Sequence, residues 1–138
     1  MIKIAVLCLC LFIGAVMARD RKNCFCQAVE ATSSKVIHDW GSIRTHSHWI
    51  SVSCRRLRGC KNDCNTHVKT WVKSNPSKCD GMKIRSQYKA SVCGKGLHPE
   101  IIECKCVTFD CKAKSCHEKC IKQGQAKYFT CLTKCLAH

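Results

Sequence analysis

Cysteine is the residue whose chemistry dominates this chain, at sixteen of 138 positions. One stretch reads Cys111-x4-Cys116-x3-Cys120-x10-Cys131-x3-Cys135. Thiols can attack electrophiles, hold metals as thiolates or pair as disulfides, and the redox compartment selects among these. Residues 1–18 have the form of a secretory leader: Lys3, an apolar run over residues 4–16, and the small-x-small ending Ala15-Val16-Met17-Ala18. The expectation is cleavage after Ala18 and secretion, with Arg21-Lys22 open as a second processing site. Cys8 and Cys10 leave with the leader. Fourteen cysteines remain, at Cys24, Cys26, Cys54, Cys60, Cys64, Cys79, Cys93, Cys104, Cys106, Cys111, Cys116, Cys120, Cys131 and Cys135. An even number in an oxidising compartment implies a disulfide framework of up to seven bridges, whose connectivity spacing alone does not give.

Rival chemistries fit less well. Zinc sites favour tight Cys-x2-Cys pairs, and the chain has none to set beside His46, His48 and His117. His117-Glu118, between Cys116 and Cys120, is similar to the His-Asp pair of secreted phospholipases A2. The likeness stops there: that family places its histidine four residues after a cysteine and carries an upstream Gly-rich calcium loop, and Cys93-Gly94-Lys95-Gly96 is not that loop. A ribonuclease needs two convergent histidines and a lysine, and seven histidines do not select such a set. A lysozyme needs a placed carboxylate pair, and nine carboxylates are scattered here. No enzyme, cofactor or metal site is expected.

Charge indicates the partners. Twenty-four Lys and Arg, less Lys3, against nine Asp and Glu leave the secreted chain at +14. Such a field attracts anionic surfaces: lipid headgroups, sulfated glycans or an acidic receptor mouth. Genomic nucleic acid is not expected on a secretory route. Arg55, Arg56 and Arg58 form the densest basic cluster, and Lys119, Lys122, Lys127 and Lys134 decorate the C-terminal stretch. These seven are the candidate contact residues. Asn75 precedes Pro76, so no usable N-glycosylation acceptor masks the surface.

Several elements must hold these groups. Residues four apart share a helix face, so Cys116/Cys120 and Cys131/Cys135 suit two antiparallel helices stapled twice around a turn at Gly124. The cysteines should then take the inward face and leave little apolar surface outside. Cys60, Cys64, Val68 and Trp71 mark a further helix, ended by Asn75-Pro76-Ser77. Residues 27–40 carry Val29, Val36 and Trp40 at helical spacing and are predicted helical, while residues 43–54 and 82–92 fit either period. Residues 101–109 are the one expected strand. Trp40, Trp49 and Trp71 suit either core packing or interfacial anchoring.

The stretches 24–93 and 104–135 each hold seven cysteines in similar order, Gly-Cys-Lys-Asn-Asp-Cys at 59–64 lying over Ser-Cys-His-Glu-Lys-Cys at 115–120. The echo reflects either duplication or the chance self-alignment of cysteine-dense sequence. Seven is odd, so complete pairing requires a bridge between the stretches. The expected fold is a single disulfide-rich unit over 19–138, mainly α, with a minor β element and a pseudo-duplication in question. In class it is similar to large secreted peptide toxins and to signalling or reproductive proteins of invertebrates. The expected function is a non-enzymatic extracellular ligand, toxin-like or pheromone-like, acting on a membrane receptor or ion channel. A cationic host-defence protein and a small secreted hydrolase are the alternatives.

Overall fold

The computed structural model describes residues 19–137, so the expected leader, with Cys8 and Cys10, lies outside the described residues. The fourteen other cysteines all pair: Cys24–Cys60, Cys26–Cys64, Cys54–Cys93, Cys79–Cys104, Cys106–Cys111, Cys116–Cys135 and Cys120–Cys131. A body of one sheet and one long helix carries a C-terminal helical hairpin.

The sheet overturns the mainly α expectation. Five antiparallel strands, β1 (Asp20–Glu30), β2 (Val36–His48), β3 (Lys83–Ala90), β4 (Lys95–Leu97) and β5 (Ile102–Glu103), form a major element. They run in the order β2-β1-β3-β4, with β5 also on β3. Residues 27–40 are the end of β1, a turn and the start of β2. Within the turn, the Ser34 amide donates to Glu30 O at 2.9 Å, and Ser34 takes a left-handed φ of 57°. Residues 82–92 resolve as β3, and the strand expected over 101–109 shrinks to β5.

Bulges account for the inward Trp40 of the helical pattern, whereas Val36 pairs regularly with Val29 and is exposed. The β1–β2 register slips after Cys24, Cys26 and Ala28. The β2 residues skipped at those slips are Ile43, Trp40 and Ile37. Each bulge adds one unpaired residue and re-aims the chain. All three skipped side chains pack against the core. A spacing of three thus faces inward from a strand, although an unbroken strand alternates every two residues.

Helix α1 (Cys60–Ser74), the helix its spacing predicted, packs on the inner face of the sheet. Cys60, Cys64, Val68 and Val72 are buried at four-residue intervals against Cys24, Cys26, Ala28 and Ile84. The pairing of Cys-x-Cys with Cys-x3-Cys is a match of lengths. Two strand residues advance about 6.7 Å, and four helical residues advance about 6 Å. Two bridges therefore stand side by side, with Cα–Cα separations of 5.5 and 5.3 Å. Ser86 is a fully buried polar residue. Its hydroxyl donates to Asn65 Oδ1 at 3.1 Å, and Asn65 Nδ2 donates to Glu100 at 2.8 Å. Lys69 pairs with Glu100 at 2.7 Å, so the chain of polar groups ends at the surface. Trp40 and Trp71 pack beside this core with His38 stacked on Trp71, so two of the three tryptophans take the packing role.

Past α1, Pro76 starts the short helix α2 (Pro76–Cys79). Cys79–Cys104 then joins the stretches 24–93 and 104–135, as the odd cysteine counts require. The two stretches do not share a fold. Cys24 and Cys26 lie on a strand and pair with a helix. Their counterparts Cys104 and Cys106 pair with Cys79 and Cys111, while the remaining second-half bridges join helix to helix. The pseudo-duplication therefore finds no structural support.

The hairpin consists of α3 (Phe109–Ile121) and α4 (Gln125–Leu136), with Gly124 between them at φ 83°. Its two staples are those the spacing suggested. A clasp at Asp80 ties it to the body. That carboxylate accepts the Thr108 hydroxyl, the Val107 amide at 2.7 Å and the Thr108 amide at 3.3 Å. Thr108 in turn caps α3 by accepting from the Cys111 amide at 3.2 Å. Gly81, at φ 71°, lies under the Cys106–Cys111 bridge, where a Cβ would run into Cys111 Sγ.

The Thr108 hydroxyl first, and then the Val107 amide, hold the Asp80 pKa below its ordinary value. A lowered carboxylate pKa stabilises the clasp above the unfolded value of about 3.9, and the contribution is lost as pH falls through that range. The Val107 amide should then lose protection, measured against its unstructured exchange rate, as pH drops from about 5 to about 2. Asp80→Ala should lack that protection throughout, as amide exchange read by NMR would show. Protection independent of both pH and Asp80 would disprove the clasp.

Candidate recognition surface

One end of the body gathers the arginines. The register places Asp20 opposite His48, and Cys24 opposite both Arg44 and Ala90. The start of β1, the end of β2, the end of β3 and the first turn of α1 therefore meet at one rim. The segment leaving β2 is pinned there by Val52, which is buried and whose amide donates to Asp20 at 2.7 Å. Lys22 Nζ also binds Asp20, at 2.8 Å. Both contacts, Lys22 the larger, hold the Asp20 pKa below its ordinary value.

A 3-10 turn, Cys54–Leu57, follows. Ser53 caps it by accepting from the Arg55 amide at 3.3 Å. Leu57 is buried against Cys24, Cys60 and Ala90. With Leu57 plugged inward, Arg55, Arg56 and Arg58 are left exposed around it. The Cys54–Cys93 bridge locks this turn to the β3–β4 turn. Arg55, Arg58 and Lys61 line a cleft of about 510 Å³ with Ser53, Tyr88 and Gly94.

Neighbouring charges leave these cations unneutralised. Asp20 is occupied as described, and Asp63 pairs with Arg44 at 2.7 Å. Among the described residues, Arg55, Arg56 and Arg58 form no ion pair. Apolar side chains are exposed in the adjoining segments: Trp49 is 74% exposed, Ile50 65% and Val92, next to the bridged Cys93, 88%. Trp49 thus parts from Trp40 and Trp71. Sequence reasoning did not single out Ile50, Val92 or Lys61. The usable signal was Trp49-Ile50 leading into the serine-flanked loop Ser51-Val52-Ser53.

The hairpin lysines belong elsewhere. Lys119, Lys122, Lys127 and Lys134 are exposed on α3 and α4 or the turn between them. The hairpin's base lies near Glu30 and Asp80, at the far end of β1 from Cys24. Six strand residues separate those ends by about 20 Å. The seven candidate contacts therefore form two surfaces.

Several groups with catalytic or ligating chemistry are engaged locally. The ligand-type atoms of Asp80, Cys106 and Cys111 lie within 4.8 Å of one another, but the two sulfurs are bonded together and offer no thiolate. His117 Nδ1 meets the Tyr128 hydroxyl, and the His48 and His98 rings accept from the Ile50 and Glu100 amides. No described helix is long and apolar enough to cross a membrane. No family profile, curated protein or solved structure matches the chain.

Proposed function

We propose that this protein is a secreted, non-enzymatic ligand whose arginine end docks on an acidic face of a membrane receptor or channel. One observation carries the reading. Three unpaired arginines surround a buried leucine on a turn locked by Cys54–Cys93, and the adjoining segments expose Trp49, Ile50 and Val92. Tryptophan and arginine are the side chains that most often dominate binding energy. A cross-linked mount also limits the ordering cost of association. Dense disulfides and the absence of a spanning helix among the described residues are consistent with an extracellular setting.

Labelled oxidised protein should bind membranes of a responsive tissue saturably, at nanomolar concentration and physiological salt. Arg55→Ala/Arg56→Ala/Arg58→Ala should weaken binding about 100-fold, and Trp49→Ala about tenfold. Protease treatment of the membranes should abolish this saturable component. Equal binding to protease-stripped membranes, or an undiminished triple variant, would remove this reading.

A further inference from the structure

The hairpin's cysteines divide its remaining surface into two unlike faces. Successive residues advance about 100° around a helix. A twofold axis normal to the plane of an antiparallel pair relates its helices and keeps the upper face uppermost. Positions that follow each inward cysteine therefore share one face, and positions that precede each cysteine share the other. The following residues are His117, Ile121, Leu132 and Leu136; the preceding ones are Ser115, Lys119, Thr130 and Lys134. Phe129 falls on the first face, with Asp110 and Lys114 on the same side nearer the base, and Lys112, Lys122 and Lys127 fall on the second.

The expectation that bridges would turn the apolar surface inward is thus met only for sulfur. Ile121 is 60% exposed, Phe129 77% and Leu136 37%. No residue of α4 is buried. The body does not cover this face, because the hairpin meets it only at its base.

We infer that the Ile121/Phe129/Leu136 face of the hairpin is a docking surface for an anionic lipid bilayer. Charge selects this occupant over a second copy of the chain. The hairpin carries six lysines against Asp110 and Glu118, a balance that complements a negative surface and that a second copy, equally cationic, cannot complement. An anionic bilayer offers apolar depth to Ile121 and Phe129 and negative potential to the lysines. Amphipathic helices with Lys on one face and Phe or Leu on the other lie in the interface in this way. The far-side lysines, about 10 Å away across the helix, remain within about one screening length of the headgroups. The inference is independent of the receptor reading, because the arginine end lies at the opposite rim.

Vesicle flotation with oxidised protein tests it, using phosphatidylcholine vesicles with and without about one-third phosphatidylserine. Partitioning should favour the anionic vesicles and weaken as salt rises. Ile121→Ser/Phe129→Ser should lower it by about tenfold or more with circular dichroism unchanged. Arg55→Ala/Arg56→Ala/Arg58→Ala should retain partitioning within about threefold, since those arginines lie outside the docking face. Failure to bind either vesicle would overturn the inference. So would full retention by the hairpin variant, or loss caused by the arginine variant instead. Micromolar self-association abolished by Ile121→Ser/Phe129→Ser would also overturn it, by assigning the face to a second copy.

Discussion

Replacing Cys116, Cys120, Cys131 and Cys135 together with serine should melt the C-terminal hairpin and leave the body folded. The reason is that sulfur is nearly all the core the hairpin has. Among the α3 residues only Cys116 and Cys120 are buried, and α4 buries none. Helices of 13 and 12 residues are marginal in water without tertiary support. The two bridges span 19 and 11 residues. Each alone would remove about 3 kcal/mol of loop-closure entropy from the unfolded hairpin, and nested together they act largely as one. Either bridge should therefore hold the hairpin if only the other is removed. In the fourfold variant, more than half of the helical far-ultraviolet signal should vanish. The near-ultraviolet signal of Trp40 and Trp71 should persist, because both sit in the body. A helical hairpin that survives without its bridges would show that another packing surface supports it.

Strong non-additivity is expected in the body's paired staples. Cys24–Cys60 and Cys26–Cys64 close loops of 36 and 38 residues that almost coincide. Once one is closed, little loop entropy remains for the other. Removing either pair as alanines should cost about 1–2 kcal/mol, mostly lost packing around buried sulfurs. Removing both should expose a further loop-closure cost of about 4 kcal/mol. That is a large share of an ordinary domain's stability of about 5–15 kcal/mol, so the fourfold alanine body should be partly unfolded at room temperature. Guanidinium titration of the two pairs and their combination forms the cycle. Simple additivity would mean that the two bridges constrain different parts of the unfolded chain.

Legibility from sequence followed the regularity of each element. Helix α1 and the hairpin could be read because Cys60/Cys64 and Cys116/Cys120 keep an unbroken four-residue interval. The sheet was hidden at β2, where three bulges give Ile37, Trp40 and Ile43 a helix-like spacing inside a strand. Strand β3 was ambiguous because Ile84 and Tyr88 are separated by a multiple of the strand period and also by a helical turn. Buried Ser86 between them reads as a surface residue until Asn65 is seen to satisfy it. Among the candidate contacts, the arginine cluster was legible as charge. Its setting was not, because the Cys54–Cys93 bridge, across a separation of 39 residues, ties the segment of Val92 to the turn. The separation of the arginines from the hairpin lysines was equally invisible, since it follows from the direction in which β1 runs.

Rigid presentation of the arginine turn is the centre of this account, and membrane binding by Cys54→Ser/Cys93→Ser tests it most directly. The body keeps its other staples, so circular dichroism should match the parent, while Arg55, Arg56 and Arg58 lose their fixed mount. Saturable binding at physiological salt should fall about tenfold or more, toward the level of Arg55→Ala/Arg56→Ala/Arg58→Ala. Unchanged affinity in the folded, bridge-free variant would contradict the claim that the locked turn is the recognition element.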